Sequence, residues 1–188
     1  LERNKINKLR KKSLKGTEKF LQVLKLSGNP LKSIENGTFA KHESIKQLYL
    51  DDTNLGENIQ KASLHGLEKI RQIDLSLNKI SLIENEAFRG LEITFQSIDI
   101  SSNQISTMSK CIFERFPHLN GMRLGNNPLQ CDCRLVWLYN WLKLHHPDFS
   151  RSMLDWVCAG PAHIKQKPFR LLQLNDFGCT NRTENETC

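Results

Sequence analysis

The chain has 188 residues, of which 38% are hydrophobic and 25% are charged, and its formal net charge is +7. This length and composition allow a sizeable buried core, which argues against a disordered chain. No run approaches the roughly 18 apolar residues of a membrane-spanning helix, and no signal peptide is recognisable at the start. We therefore expect a soluble, globular fold.

A leucine-rich pattern recurs along most of the chain. Its clearest copy, residues 21–31, reads L-x-x-L-x-L-x-x-N-x-L, in which Leu24 and Leu26 alternate as in a half-buried strand and Asn29 falls where the chain turns. The residues at this turn position are Asn4, Asn29, Thr53, Asn78, Asn103 and Asn127, which step by 25, 24, 25, 25 and 24 residues. A second apolar column contains Leu14, Phe39, Leu64, Phe88 and Phe113. Two columns in phase predict stacked repeats that share one core.

This pattern resembles the leucine-rich-repeat family. The resemblance implies an α/β fold, a solenoid with a curved parallel β-sheet on its concave face. It also implies a ladder in which the turn asparagines hydrogen-bond the backbone of adjacent turns. Thr53 departs from that ladder, and we expect its hydroxyl to replace an amide only in part. The first repeat is partial, so we expect a longer protein or a partner to cover its core edge.

A cysteine-rich segment, residues 127–179, follows the last repeat. Its apolar residues Leu135, Leu138, Trp141 and Leu142 lie at helical spacing and predict a short helix that covers the end of the repeats. The segment resembles the C-terminal cap of extracellular leucine-rich-repeat proteins such as Slit proteins, variable lymphocyte receptors and Toll-type receptors. That resemblance implies the pairs Cys131–Cys158 and Cys133–Cys179, one of the three connectivities that four cysteines allow.

Two further cysteines, Cys111 and Cys188, remain. An even total suggests a third bridge between them, although Cys188 could equally pair with another chain and form a homodimer. A zinc site is the competing interpretation of the C-x-C motif, but the motif lacks the usual C-x2-C spacing. We expect no metal and no cofactor.

Three N-x-T triplets make Asn36, Asn181 and Asn185 candidate N-glycosylation sites. They point to an oxidising, extracellular compartment, in which disulfides persist. The organisation we expect is therefore repeats over residues 1–126, a cap over 127–179, and a polar, glycosylated tail over 180–188.

The residues that alternate with the buried leucines should face the concave side. The central column of that face contains Lys25, Tyr49, Asp74, Asp99 and Arg123, and Gln47, Gln72 and Ser97 flank it. An acidic centre with one aromatic residue and basic ends predicts a protein ligand or receptor that carries a basic patch. The alternative is a merely solvated strand face.

Residues 1–20 contain eight basic and two acidic side chains, which is +6 of the net +7. Within them Lys8, Arg10, Lys11, Lys12 and Lys15 form a cluster that could bind heparan sulfate or anionic lipid, or could simply be a solvated loop. No aromatic residue interleaves the cluster, so nucleic acid is not the expected partner.

The leading hypothesis is a protein-recognition module of a receptor or of a secreted immune or guidance protein. The alternative is an adhesive or matrix-associated protein that binds sulfated glycosaminoglycan through the basic N-terminal face. The chain has no G-x-S-x-G, H-E-x-x-H or phosphate-loop motif, so we do not expect an enzyme. Immune and neuronal or developmental roles remain equally open.

Overall fold

The computed structural model describes residues 1–56, 58–59, 64–145, 153 and 155–179. The β-strands are β1 (Lys8–Leu9), β2 (Val23–Lys25), β3 (Ser33–Ile34), β4 (Gln47–Tyr49), β5 (Asn58–Ile59), β6 (Gln72–Asp74), β7 (Leu82–Ile83), β8 (Ser97–Asp99), β9 (Gly121–Arg123), β10 (Leu129–Gln130) and β11 (Cys158–Gly160). The α-helix α1 spans Val136–His145. Short 3-10 helices cover Lys110–Ile112, Cys133–Leu135, Ala162–Ile164, Phe169–Leu171 and Leu174–Phe177.

The main sheet has five parallel strands in the order β2-β4-β6-β8-β9. The central residue of each strand is apolar and buried, and these residues pair across the sheet as Leu24, Leu48, Ile73, Ile98 and Met122. The residues on either side of them point to solvent, because side chains alternate across a strand. Parallel neighbours need a long crossover, and the 24- or 25-residue period supplies it. We call each stretch from one turn position to the next a coil.

The second apolar column packs behind the main sheet. Phe39, Phe88 and Phe113 are each at most 1% exposed. The centroid of the Phe88 ring lies 5.7 Å from that of Phe95 and 6.0 Å from that of Phe113, so aromatic contacts run from coil to coil. Phe113 in turn stacks on Trp137 of α1 at 6.4 Å. One apolar core therefore continues from the repeats into the C-terminal segment.

Asparagine side chains join each coil to the one before it. Asn78 is representative: its Nδ2 donates to the carbonyl of Leu75 in its own coil at 3.0 Å and to that of Leu50 in the preceding coil at 2.9 Å. Its Oδ1 accepts from the N–H of Thr53 at 3.2 Å and of Leu55 at 3.0 Å. One buried amide thus bonds backbone groups of both coils at the point where two strands end. Asn29, Asn103 and Asn127 also bond their own and the preceding coil.

Thr53 interrupts this ladder. Its hydroxyl reaches the carbonyl of Leu50 in its own coil at 2.7 Å and lies 3.1 Å from Oδ1 of Asn78. Within the described part of the chain, it makes no hydrogen bond to Leu26 or Leu31, which correspond to the residues Leu50 and Leu55 that Asn78 bonds. The shorter side chain therefore replaces only the contact within its own coil, as the sequence predicted.

The residue before each turn position has a left-handed backbone, with φ between 51° and 68°; these residues are Arg3, Gly28, Asp52, Leu77, Ser102 and Asn126. The N–H of each donates to a carbonyl of the next repeat along the chain or of the C-terminal segment. For example, the N–H of Leu77 donates to the carbonyl of Ser101 at 3.1 Å. Most of these residues are glycine or small polar types that tolerate this conformation. Arg3 and Leu77 do not belong to those types, and Leu77 is 58% exposed.

The C-terminal segment closes the core as a cap. The buried face of α1 carries Leu138 and Leu142, and the indole N–H of Trp137 donates to the carbonyl of Met108 at 3.0 Å. The N–H of Asn126 donates to the carbonyl of Asp155 at 3.3 Å, so the cap continues the hydrogen bonding of the coils. No helix in the described part of the chain is long and apolar enough to span a bilayer.

Disulfide bonds connect Cys131 with Cys158 and Cys133 with Cys179, the pairs that the resemblance implied. These sulfur atoms are therefore occupied and cannot serve as zinc ligands. Cys111 is also disulfide-bonded. Its predicted partner Cys188 lies outside the described residues, so the third bridge and the homodimer both remain predictions.

The ladder yields a reciprocal test. Thr53→Asn should raise the free energy of unfolding by roughly 0.5–1.5 kcal/mol, because an amide there can bond the preceding coil as the other four do. Asn103→Thr should lower it by about 1–3 kcal/mol, because buried backbone groups lose their partner. Denaturant titration of both variants measures the two changes. A Thr53→Asn variant that is less stable than the wild type would show that the site cannot accommodate the amide.

Candidate functional site

Two rows of side chains cover the solvent side of the main sheet. The strand register aligns one row as Lys25, Tyr49, Asp74, Asp99 and Arg123, and the other as Val23, Gln47, Gln72, Ser97 and Gly121. We call the two rows the sheet face. Neighbouring strands lie about 4.8 Å apart, so adjacent members of a row can touch one ligand together. All eight residues predicted for ligand contact thus lie side by side.

The ends of the charged row fold onto its centre. Nζ of Lys25 lies 5.4 Å from the centroid of the Tyr49 ring, within cation–π range. Nη1 of Arg123 lies 3.5 Å from Oδ2 of Asp99. Because the Arg123 side chain is 76% exposed, this ion pair contributes little stability. The basic ends therefore already contact the aromatic and acidic residues at the centre.

The two acids of the row are held by serines. Oδ1 of Asp74 accepts from the N–H of Ser76 at 3.0 Å and from its hydroxyl at 2.7 Å. Asp99 makes the same two contacts with Ser101, at 3.0 and 2.6 Å. Both acids are partly buried, and their hydrogen bonds fix the turn that follows each strand. The alternation of residues along a strand does not indicate such contacts.

Asp74 differs from Asp99 in its electrostatics. Burial raises the pKa of Asp74, against the lowering effect of its hydrogen bonds from Ser76, and the charges of Asp99 and Asp51 raise it further. Asp99 has Arg123 as an ion-pair partner. No basic side chain of the described residues lies within ion-pair distance of Asp74. Its negative charge is thus partly desolvated and uncompensated.

A groove of about 290 Å³ extends from the sheet face to the cap. Its floor is formed by residues of β6, β8 and β9, including Asp74, Asp99 and Arg123, and its side by Leu142 and Met153 of the cap. A Cβ at Gly121 would lie 3.0 Å from Cβ of Ser97, so the glycine allows the two strands to approach closely there. Sequence reasoning missed the cap residues, since no repeat pattern indicates which part of the cap meets the sheet.

A basic groove of about 410 Å³ lies between the turns of the first two coils. The first coil contributes Lys11, Lys12 and Lys15, and the second contributes Lys41, which sequence reasoning missed. Glu18 is the one acidic residue in the described lining, and backbone hydrogen bonds lower its pKa. The predicted cluster members Lys8 and Arg10 are exposed but do not line this groove.

The candidate glycosylation sites differ in what the structure describes. Asn36 is exposed in the turn that follows β3. Thr38 of the same triplet is buried, and its hydroxyl donates to the carbonyl of Glu35 at 2.6 Å. Asn181 and Asn185 lie outside the described residues.

Residues 1–55 match the family model described as leucine rich repeat. This part of the chain therefore carries leucine-rich repeats. The chain is 25% identical over 168 residues to vasorin of Mus musculus, which covers 89% of this chain and 24% of vasorin. It is 30% identical over 165 residues to leucine-rich repeat transmembrane protein FLRT2 of Rattus norvegicus, which covers 87% of this chain and 24% of that protein. Lumican of Mus musculus is 32% identical over 111 residues, or 59% of this chain and 31% of lumican.

The chain therefore spans about a quarter to a third of the length of these relatives. They are secreted or cell-surface proteins, and together with the disulfides of the cap they confirm the expected extracellular location. The similarity to these proteins supports the assignment of this chain to the general class of extracellular protein-interaction modules.

The charge of Asp74 should be visible in the pH dependence of stability. A raised pKa means that the folded state binds the proton more tightly than the unfolded state, so this contribution to stability falls as pH rises through the folded pKa. Asp74→Asn keeps an oxygen that can accept from Ser76 but removes the charge. We therefore expect its Tm to exceed that of the wild type at neutral pH, and the difference to shrink in acid.

Asp99→Asn is the matched control, since it also retains an acceptor but leaves Arg123 without its ion-pair partner. We expect no rise of Tm at neutral pH for this variant. Thermal melts of the three proteins across the acidic and neutral range provide the comparison. An Asp74→Asn protein that melts below the wild type at neutral pH would show that the buried charge is not penalised.

Proposed function

We propose that this chain is a recognition module that binds a protein ligand on the sheet face, which forms the concave side of a leucine-rich-repeat solenoid. The observation that carries the proposal is the aligned row of aromatic and charged side chains, none of which is part of the apolar core. The row continues into a groove against the cap, so the available surface is wider than the sheet alone. The parent protein would be a receptor or a secreted immune or guidance protein.

The chemistry of the face favours a ligand with basic side chains. Tyr49 offers a large aromatic contact area, and Asp74 offers a carboxylate without a cationic partner among the described residues. A ligand cation placed between them would compensate the charge of Asp74 and could contact the Tyr49 ring in place of Lys25. Lys25 and Arg123 at the ends would repel a ligand that is basic throughout. The favoured ligand is therefore basic at its centre and acidic or neutral at its edges.

The proposal is tested by probing an array of extracellular proteins with the multimerised chain and measuring the affinity of each hit. Tyr49→Ala should weaken binding by roughly 2 kcal/mol if this residue is a hot spot. Phe20→Ala is the matched control, because Phe20 is an exposed aromatic residue outside the two rows. Hits that lose affinity with Phe20→Ala or with changes in the cap, but not with Tyr49→Ala, would contradict binding on the sheet face.

A second candidate function is binding of sulfated polysaccharide. It is supported by the convergence of Lys11, Lys12, Lys15 and Lys41 from two coils on one groove that contains a single described acid. A sulfated polysaccharide chain that lies along this groove could contact all four ammonium groups. Its affinity would fall steeply as the salt concentration rises. This candidate corresponds to an adhesive or matrix-associated protein.

Heparin chromatography tests the second candidate. The wild type should be retained at about 0.15 M salt, and replacement of Lys11, Lys12 and Lys15 by Gln should abolish that retention. The control carries the same change of charge at Lys32, Lys69 and Lys79, which are exposed outside the groove. Equal loss of retention in both triple variants would indicate a response to net charge rather than a site.

A further inference from the structure

The triplet that contains Asn36 is built into the wall of the basic groove. The turn after β3 stacks directly on the turn after β1: the N–H of Glu35 donates to the carbonyl of Leu9 at 2.8 Å, and the N–H of Lys11 donates to Oε2 of Glu35 at 3.4 Å. The two turns are thus held together by hydrogen bonds at the edge of the groove. Asn36 follows Glu35 immediately.

The other two residues of the triplet line the groove. A side chain at Gly37 would begin 3.3 Å from Cε and 3.9 Å from Nζ of Lys11, so this backbone lies against the lysine side chain. Thr38 also lines the groove, and its hydroxyl lies 3.3 Å from the carbonyl of Leu9. Asn36 itself is exposed to solvent. A sugar attached to it would start one residue away from the groove wall.

We propose that an N-linked glycan on Asn36 covers the basic groove and regulates the access of sulfated polysaccharides to it. The proposal rests on the polysaccharide binding proposed above. A glycan is bulky and strongly hydrated, so it would restrict the approach of a second sugar chain to the adjacent lysines. The glycan need not carry any charge to act in this way. Two forms of the protein, with and without sugar at Asn36, would then differ in their retention by the matrix.

Asn36→Gln is a suitable variant, because it removes the attachment site on an exposed side chain and preserves the net charge. Replacing Thr38 would also remove the site, but its buried, hydrogen-bonded hydroxyl supports the turn. The double variant Asn181→Gln/Asn185→Gln is the matched control, since it removes the other two candidate glycans. A general effect of glycans would change heparin binding in both variants. Shielding of the groove by the Asn36 glycan would change heparin binding only in Asn36→Gln.

The proteins are produced in a secretory cell line in which glycan processing is blocked at the high-mannose stage, so that no sialic acid is present. A portion is trimmed with an endoglycosidase that leaves one sugar on the asparagine. An amidase that releases the entire glycan is avoided, because it converts asparagine to aspartate and would add a negative charge beside the groove. Intact mass reports which sites are occupied, and binding to immobilised heparin is measured over a range of salt.

We expect Asn36→Gln to bind heparin roughly three- to tenfold more tightly than the glycosylated wild type, which corresponds to the recovery of one or two exposed ion pairs. The trimmed wild type should shift in the same direction, and the Asn181→Gln/Asn185→Gln control should not. Equal affinity of the wild type and Asn36→Gln, or an unoccupied Asn36, would overturn this proposal and leave polysaccharide binding intact. Failure of every form, including the trimmed proteins, to bind heparin would overturn both.

Discussion

The buried amide shared between two coils is the interaction on which the rest of this structure depends. At each turn a strand ends and its last backbone groups would be left without partners in an apolar core, which is costly. The amide of Asn78 both donates to and accepts from the backbone there, and its contacts are divided between two coils. It therefore fixes both the turn and the distance to the neighbouring coil. The strands align as a consequence, and with them the rows of the sheet face.

The fold separates most of the residues that stabilise it from those that face solvent. Leu48, Ile73 and Ile98 point inward from the strand centres, while the residues beside them point outward. The separation is incomplete at Asp74 and Asp99, whose side chains serve the sheet face and also bond the backbone of the next turn. Substitutions at these two positions affect the turn as well as any ligand, whereas Tyr49 is free of that coupling.

The sequence predicted the strands, the buried columns and the membership of the sheet face, because these depend only on the position of a residue within its repeat. The start of α1 was predicted less well. The apolar spacing begins at Leu135, but in the structure Leu135 is the last residue of a 3-10 helix and α1 starts at Val136. Asp132 caps that 3-10 helix by accepting from the N–H of Arg134. Contacts between successive turns escaped prediction. Lys41 joins the basic groove through the stacking of two coils, and Met153 reaches the sheet through the path of the cap, neither of which has a period in the sequence.

The position of Leu64 shows where this chain can change length. It lies eleven residues after Thr53, whereas its counterparts lie ten residues after their turn positions. The added residue falls between the turn and the second apolar column, and Gln72, Ile73 and Asp74 still pair in register with the strands on either side. An insertion within a strand would instead exchange its two faces and direct charged side chains into the core. Related chains can therefore gain or lose single residues on the loops or whole coils at a time, while the strands themselves keep a constant length.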